Sequence, residues 1–154
     1  MTVQSIFSRR TDAALAILRG IAGAIFIAHG AQKLFVFGFD GVSGAFGQMG
    51  IPLPGLMGPF VALLEFFGGV ALVIGLLTRL ASLGLAFNML GAIALVHLKA
   101  GFFNPAGIEF PLALGGMTLA VALVGAGRFS LDALVANRGR KTAEWKPEVK
   151  RRAA

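Results

Sequence analysis

The chain has no cysteine and no tyrosine among its 154 residues, a single tryptophan, and only seven acidic side chains. Without cysteine it forms no structural disulfide, no thiolate metal site and no thiol redox centre of its own. Without tyrosine no phenol is present to hold a ligand or pass a proton. Charge of either sign is scarce: 14% of residues are Asp, Glu, Lys or Arg, 56% are apolar, and the mean hydropathy is +0.81. A water-soluble domain of this size cannot hide that much apolar surface. The composition therefore predicts one integral membrane domain, solvated by lipid.

Four apolar runs approach the roughly 20 residues needed to cross about 30 Å of hydrocarbon. They cover residues 13–34, 56–77, 80–98 and 108–126. The expected fold is an all-α membrane protein, an up-and-down bundle of four transmembrane helices over residues 13–126. A short segment, 1–12, precedes it and a basic tail, 127–154, follows. Although "SRRTD" faintly resembles a twin-arginine signal, the apolar run behind it is longer than a signal peptide's and lacks a cleavage site, so it is read as a span. Arg9, Arg10, Arg79, Arg128 and seven further Lys/Arg of the tail fall on one side of the predicted spans, with Arg19 just inside it, and only Lys33 and Lys99 on the other. Basic residues stay on the cytoplasmic side during insertion, so both termini are expected there, in a multi-pass protein of the bacterial cytoplasmic (inner) membrane.

A sequence pI near 11.2 does not indicate a nucleic-acid partner. The positive charge sits in the tail, where it sets topology and attracts anionic headgroups. In that tail Gly127 is the expected helix stop, Ser130 the expected cap of a short interfacial helix carrying Leu134 and Val135, and Trp145 a headgroup anchor on an otherwise solvated segment. The outward loop "VFGFDGVSGAFGQMGIPLPG", residues 36–55, is too apolar for water and too rich in Gly and Pro to span. It reads either as a re-entrant or interfacial lid carrying Phe37, Phe39, Phe46 and Met49, or as a loop lying flat on the headgroups.

Ionisable groups at membrane depth are costly, and they usually face the interior of the helix assembly and mark a site. At 100° per residue, Arg19, His29 and Lys33 share one face of the first span. Glu65 shares a face with Gly58, Ala62 and Gly69, Asn88 with Ala81, Gly84 and Gly91, and Glu109 with Ala113, Gly116 and Ala120. Small residues let helices approach closely in lipid, so these faces are expected to be the packed ones. Counting rise from the inner ends puts Arg19 at about 9 Å, Asn88 at about 12 Å, Glu65 at about 18 Å, His29 at about 24 Å and Glu109 at about 26 Å. Glu65 is thus expected within reach of both Arg19 and His29. His97, half a turn out of phase with Asn88, faces away unless the helix end unwinds.

A deep carboxylate paired with Arg19 stays ionised, and a histidine beside a carboxylate exchanges protons near neutral pH. Such a cluster offers a quinone headgroup a hydrogen-bond donor and a proton source. Two blander readings stand beside this one. Lys33 and Arg19 can snorkel to the interfaces, and a Glu65–Arg19 pair can serve only to fix helix register. His29 and His97, on different helices and out of phase, give no expectation of a metal site.

The segments "LRGIAGAIFIAHGAQKLF", "MGIPLPG", "ALLEFFGGVALVIGLLTRLAS", "GFFNPAGIEFPLALGG" and "GRFSLDALV" together resemble the DoxX family of small four-span bacterial membrane proteins, over roughly residues 13–135. The family's HGxQK element falls on His29, Gly30, Gln32 and Lys33, its helix-two glutamate on Glu65, and its GFF…EFP segment on residues 101–111. Where family members often carry Tyr before the last Glu, this chain has Ile108, so no phenol role carries over. The resemblance implies a link to thiosulfate:quinone oxidoreduction, to catechol and quinone stress, or to membrane complexes with redox partners. No haem pair or flavin motif is present and no covalently bound cofactor is expected, so electrons would pass through a redox partner protein or through a quinone.

The leading expectation is a quinone-interacting subunit of a membrane oxidoreductase or redox-stress system. Glu65 and His29 are its proton-exchanging pair, and Arg19, Lys33, Asn88, Glu109 and His97 its substrate contacts. The alternatives are a non-catalytic membrane scaffold and a small organic-solute transporter, the latter requiring a homo-oligomer or a water-filled path.

Overall fold

The computed structural model describes residues 3–138, and these are all helix and loop, with no strand among them. Helix α1 (Val3–Ala31) runs through a π-helical turn (Gln32–Phe37) into α2 (Gly38–Gln48). Helix α3 spans Pro54–Ile74, and α4 spans Thr78–Ala92. The latter continues through a second π-helical turn (Ile93–His97) and a 3-10 turn (Leu98–Ala100). Helix α5 covers Glu109–Val124, and residues 131–138 form α6. The expected anchor Trp145 and the rest of the tail from residue 139 lie outside the described residues.

Among the described residues, three helical stretches are long and apolar enough to cross a membrane: Arg9–Gln48, Pro54–Ile74 and Thr78–Ala100. The fourth expected span is a shorter apolar helix of 16 residues, about 24 Å at 1.5 Å per residue. The surface of the described residues inverts the soluble pattern. Ile17, Ile21, Phe67, Leu80, Phe87 and Leu123 are exposed, while Arg19, Glu65, Thr78, Ser82 and Thr118 are buried. That is the distribution of a chain whose outer solvent is acyl chain.

Glycine sets how closely α1 and α3 approach. A Cβ on Gly23 would lie 2.7 Å from the Gly69 carbonyl oxygen, and one on Gly69 would lie 2.8 Å from that of Gly23. Further along, Gly30 abuts the Phe66 backbone. Gly68 takes the Leu85 side chain and Gly115 that of Met89, so α3 packs on α4 and α4 on α5, beside the α1–α3 contact. Ala22, Phe26, Leu72, Leu85, Met89, Leu114 and Val121 fill the space between them.

Helix α3 starts with Pro54, which has no N–H to leave unpaired, and ends at Gly75 in the left-handed region (φ 72°). Helix α5 stops at Gly125 (φ 98°), two residues before the expected Gly127. Ser130 caps α6 as expected, accepting the Ala133 N–H at 3.2 Å. Segment 36–55 is mostly helix rather than loop: α2 lies along α3, with Ser43 against Gly58. The expectation for α5 fails. Ala113 and Ala120 are exposed with Gly116 between them, and α5 instead buries Pro111, Leu114, Thr118, Val121 and Ala122. A stripe of small residues on one helix does not by itself mark its packed face.

Candidate functional site

Lys33 is carried inward by the π-helical turn after α1, where its ammonium pairs with Glu65 Oε2. The other carboxylate oxygen of Glu65, Oε1, accepts from Asn88 Nδ2 at 3.0 Å. One buried carboxylate on α3 is thus held from both sides, by a cation from the first helix and an amide from α4. With side chains 6% and 20% exposed for Glu65 and Lys33, the pair is largely withdrawn from solvent. It is stable there because each charge finds its opposite and the remaining acceptor is filled.

These three residues stand in the wall of a cavity of about 700 Å³. The helices meet around it unequally. Phe26, His29 and Lys33 come from the first helix, Glu65 and its apolar neighbours from α3, Asn88 with Gly84 and Gly91 from α4, and Phe110 and Leu114 from α5. Phe46, Met49 and Ile51, from α2 and the turn after it, complete the lining. The lining is mainly aromatic and aliphatic with a few polar groups, the usual make-up of a small-molecule site.

Five of the seven residues singled out from sequence line this one cavity: Glu65, Lys33, Asn88, His29 and His97. His29 is exposed and its ring lies 5.7 Å from that of Phe110. It also borders a shallower groove of about 250 Å³ with Ala28 and Gln32. His97 reaches the cavity because the helix unwinds: the π-helical turn Ile93–His97 changes the angular register of everything after Ala92. Its Nδ1 lies 2.7 Å from the Ala106 carbonyl oxygen.

Arg19 and Glu109 stand elsewhere, and the expected Arg19–Glu65 pair is not formed. Arg19 is 2% exposed and donates to the carbonyl oxygens of Leu72, at 2.9 Å, and Phe129, at 2.6 Å. The rise along each helix leaves out the segment after α5 and the carbonyl groups at the end of α3, which supply nearer acceptors. Beside it Asp132 accepts the N–H groups of Leu77 (2.8 Å) and Thr78 (2.9 Å), capping α4 from a distant part of the chain. Burial alone would raise the Asp132 pKa. The hydrogen bonds from Thr78 and Leu77 and the positive charge of Arg19 outweigh it and hold the carboxyl below its ordinary value. Glu109 Oε1 accepts the Asn104 N–H at 2.7 Å and so closes the α4–α5 loop.

Sequence reasoning missed the aromatic wall and the helical form of α2, although the lid reading names Phe46 and Met49, which line the cavity. A signal for α2 was present: Phe39, Val42, Phe46 and Met49 recur at three and four residues, a helical period. The glycines between them masked it.

The DoxX family model matches residues 14–98. Among relatives, CatD of Bacillus subtilis (strain 168), provisionally named an oxidoreductase, is 38% identical over 77% of this chain and 84% of its own length. The inner membrane protein YqjF of Escherichia coli (strain K12) is 34% identical over 80% of this chain and 93% of its own. The uncharacterized membrane protein Rv3486 of Mycobacterium tuberculosis is 30% identical over 79% and 80%. No solved structure matches the chain.

Proposed function

The chain belongs to the DoxX family of integral membrane proteins, and from that premise we propose that its cavity receives a quinone headgroup, in a subunit of a membrane oxidoreductase or redox-stress system. The observation that carries the reading is the buried Glu65, bonded to Lys33 and Asn88, at the wall of a large apolar cavity. An ammonium has three donors and a carboxamide two, so both partners of Glu65 keep N–H groups to offer a carbonyl oxygen. A quinone that takes two electrons also takes two protons to become the quinol. Glu65 and His29, on the same cavity, are the proton-exchanging groups, with Lys33 in the charge-setting place first expected of Arg19. The electrons come from a redox partner, in keeping with the absence of cysteine, and the name given to CatD agrees with redox chemistry.

In this reading the protein crosses the bacterial inner membrane four times with both termini in the cytoplasm. Arg79, Arg128 and the buried Arg19 lie at the same end of the alternating helices, and Lys33 and Lys99 toward the other, as retention of positive charge inside requires. Helix α5, about 24 Å long, is somewhat shorter than the hydrocarbon core, a mismatch that local thinning accommodates at small cost.

Mass spectrometry of an organic extract of the gently purified protein tests the reading, with wild type beside Glu65→Gln. A quinone held at about one per chain by wild type and lost in the variant is the expected result. The full satisfaction of Glu65 by two other helices also favours a scaffold in which the cluster fixes helix register. No quinone in either sample, with only the variant less heat-stable, is the outcome of that second reading.

A further inference from the structure

Two residues of the cavity wall belong to the outer surface as well. Phe60 on α3 is 53% exposed and Phe87 on α4 is 71% exposed, yet both line the cavity. They stand at its edge with lipid, on facing helices. Between them α4 presents Gly84 and Gly91, at i and i+7 on one stripe with Phe87 and Asn88. The Gly84 end is closed, since a Cβ there would touch Leu64 at 3.2 Å; a Cβ on Gly91 would meet nothing within 4 Å. Helices α3 and α4 therefore touch low down and part above, leaving a slot whose sides are aromatic and whose floor leads to Glu65.

The gap between α1 and α5 is different. There His29 lies against Phe110, a polar ring at the opening. Apolar Phe60 and Phe87 stand at the edge of the α3–α4 slot, and Leu95 (52% exposed), in the π-helical turn beyond α4, also lines the cavity.

From this geometry we propose that the ligand of the cavity is a tailed amphiphile that enters sideways from the bilayer between α3 and α4. Its head rests against Lys33, Glu65 and Asn88, and its hydrocarbon tail leaves through the slot over Gly91. The proposal rests on the cavity being a quinone site and adds the class of quinone and its route. A ligand arriving from water would meet α2 and the α4–α5 loop first, because Phe46, Met49 and Pro105 cover that side. A tail left in lipid needs no apolar burial from the protein, only an unobstructed exit, and Gly91 supplies one.

Gly91→Phe fills the exit without meeting a neighbour at its Cβ; Leu95→Trp narrows it from the next turn. Gly116→Phe, on the exposed stripe of α5 and outside the cavity, is the control. The probes are a dimethoxy-methyl-benzoquinone without a tail and the same ring with a decyl tail, with binding measured in detergent micelles by equilibrium dialysis. Wild type and Gly116→Phe are expected to bind both. Gly91→Phe and Leu95→Trp are expected to weaken the decyl compound at least about tenfold more than the tail-less ring, as an overpacked passage does. Equal effects on the two probes, or none, overturn the slot while leaving the quinone site standing. Failure of wild type to bind either probe, or recovery of a phospholipid alone from the cavity, removes the quinone reading and the slot with it.

Discussion

Lys33 and Glu65, 32 positions apart, form an ion pair across the glycine-lined contact between the first helix and α3. The pair depends on a π-helical turn at one end and on glycine at the other. Gln32–Phe37 brings Lys33 round to α3, and Gly30, which has room for no side chain against the Phe66 backbone, lets the helices come near enough. Removing one member of a buried pair strands the other, whereas removing both does not. Lys33→Met is expected to lower the unfolding free energy in detergent by about 3 kcal/mol. Lys33→Met with Glu65→Leu should lose clearly less than the sum of the two single changes. Strict additivity in that double-mutant cycle would mean the two charges are not coupled.

Glycines of similar appearance in the sequence should respond in opposite ways. Gly69→Ala places a methyl 2.8 Å from the Gly23 carbonyl oxygen and from the Ile27 nitrogen, both backbone atoms that cannot step aside. A loss of about 1–3 kcal/mol is expected, as for other overpacked contacts. Gly20, also within α1, has nothing within 4 Å of its would-be Cβ. Gly20→Ala should be neutral, or stabilising by up to about 1 kcal/mol through helix propensity. Paired thermal melts settle whether the α1–α3 crossing is as tight as described; equal shifts for the two variants would contradict it.

Much of the candidate site was legible because helix periodicity and the cost of charge in lipid act together. Glu65 and Asn88 share the faces of Gly69 and Gly84, and those faces are the packed or cavity-lining ones. What periodicity misses is any break in the period. His97 faces the cavity only because Ile93–His97 is π-helical, and nothing in "IALVH" announces that. Arg19 was misplaced for another reason: its acceptors belong to the chain after α5 and to the end of α3, contacts that no single-helix projection contains. The small residues of α5 misled because which face packs depends on the neighbouring helices as well, and α5 buries Leu114, Thr118 and Val121 instead.

Asp132 gives the far end of the molecule a pH dependence with a fixed sign. Its carboxylate caps α4 through Leu77 and Thr78, and its pKa is lowered below the ordinary 3.8. A carboxyl with a depressed folded pKa contributes stability that is complete above the unfolded value and lost as pH falls through the folded one. The melting temperature is therefore expected to hold above about pH 5 and decline below pH 4. Asp132→Asn should start lower and flatten that decline. A wild-type decline that the variant reproduces in full would assign it to other carboxyls.

Arg19→Lys separates the two ends of the protein. The guanidinium donates through two nitrogens to Leu72 and Phe129, which lie on different segments, and a single ammonium on a shorter, unforked side chain does not reach both. The last turn of α3 and the approach to α6 should come apart, so residues 129–138 are expected to exchange amide hydrogens several-fold faster and to be cut sooner by protease. Quinone retention should not change, because Arg19 contributes nothing to the cavity wall. The contrast with Glu65→Gln carries the argument. If Arg19→Lys loses a bound quinone while residues 129–138 stay protected, then Arg19 acts on the ligand after all. The division between a structural clamp at one end and a binding site toward the other would then have to be withdrawn.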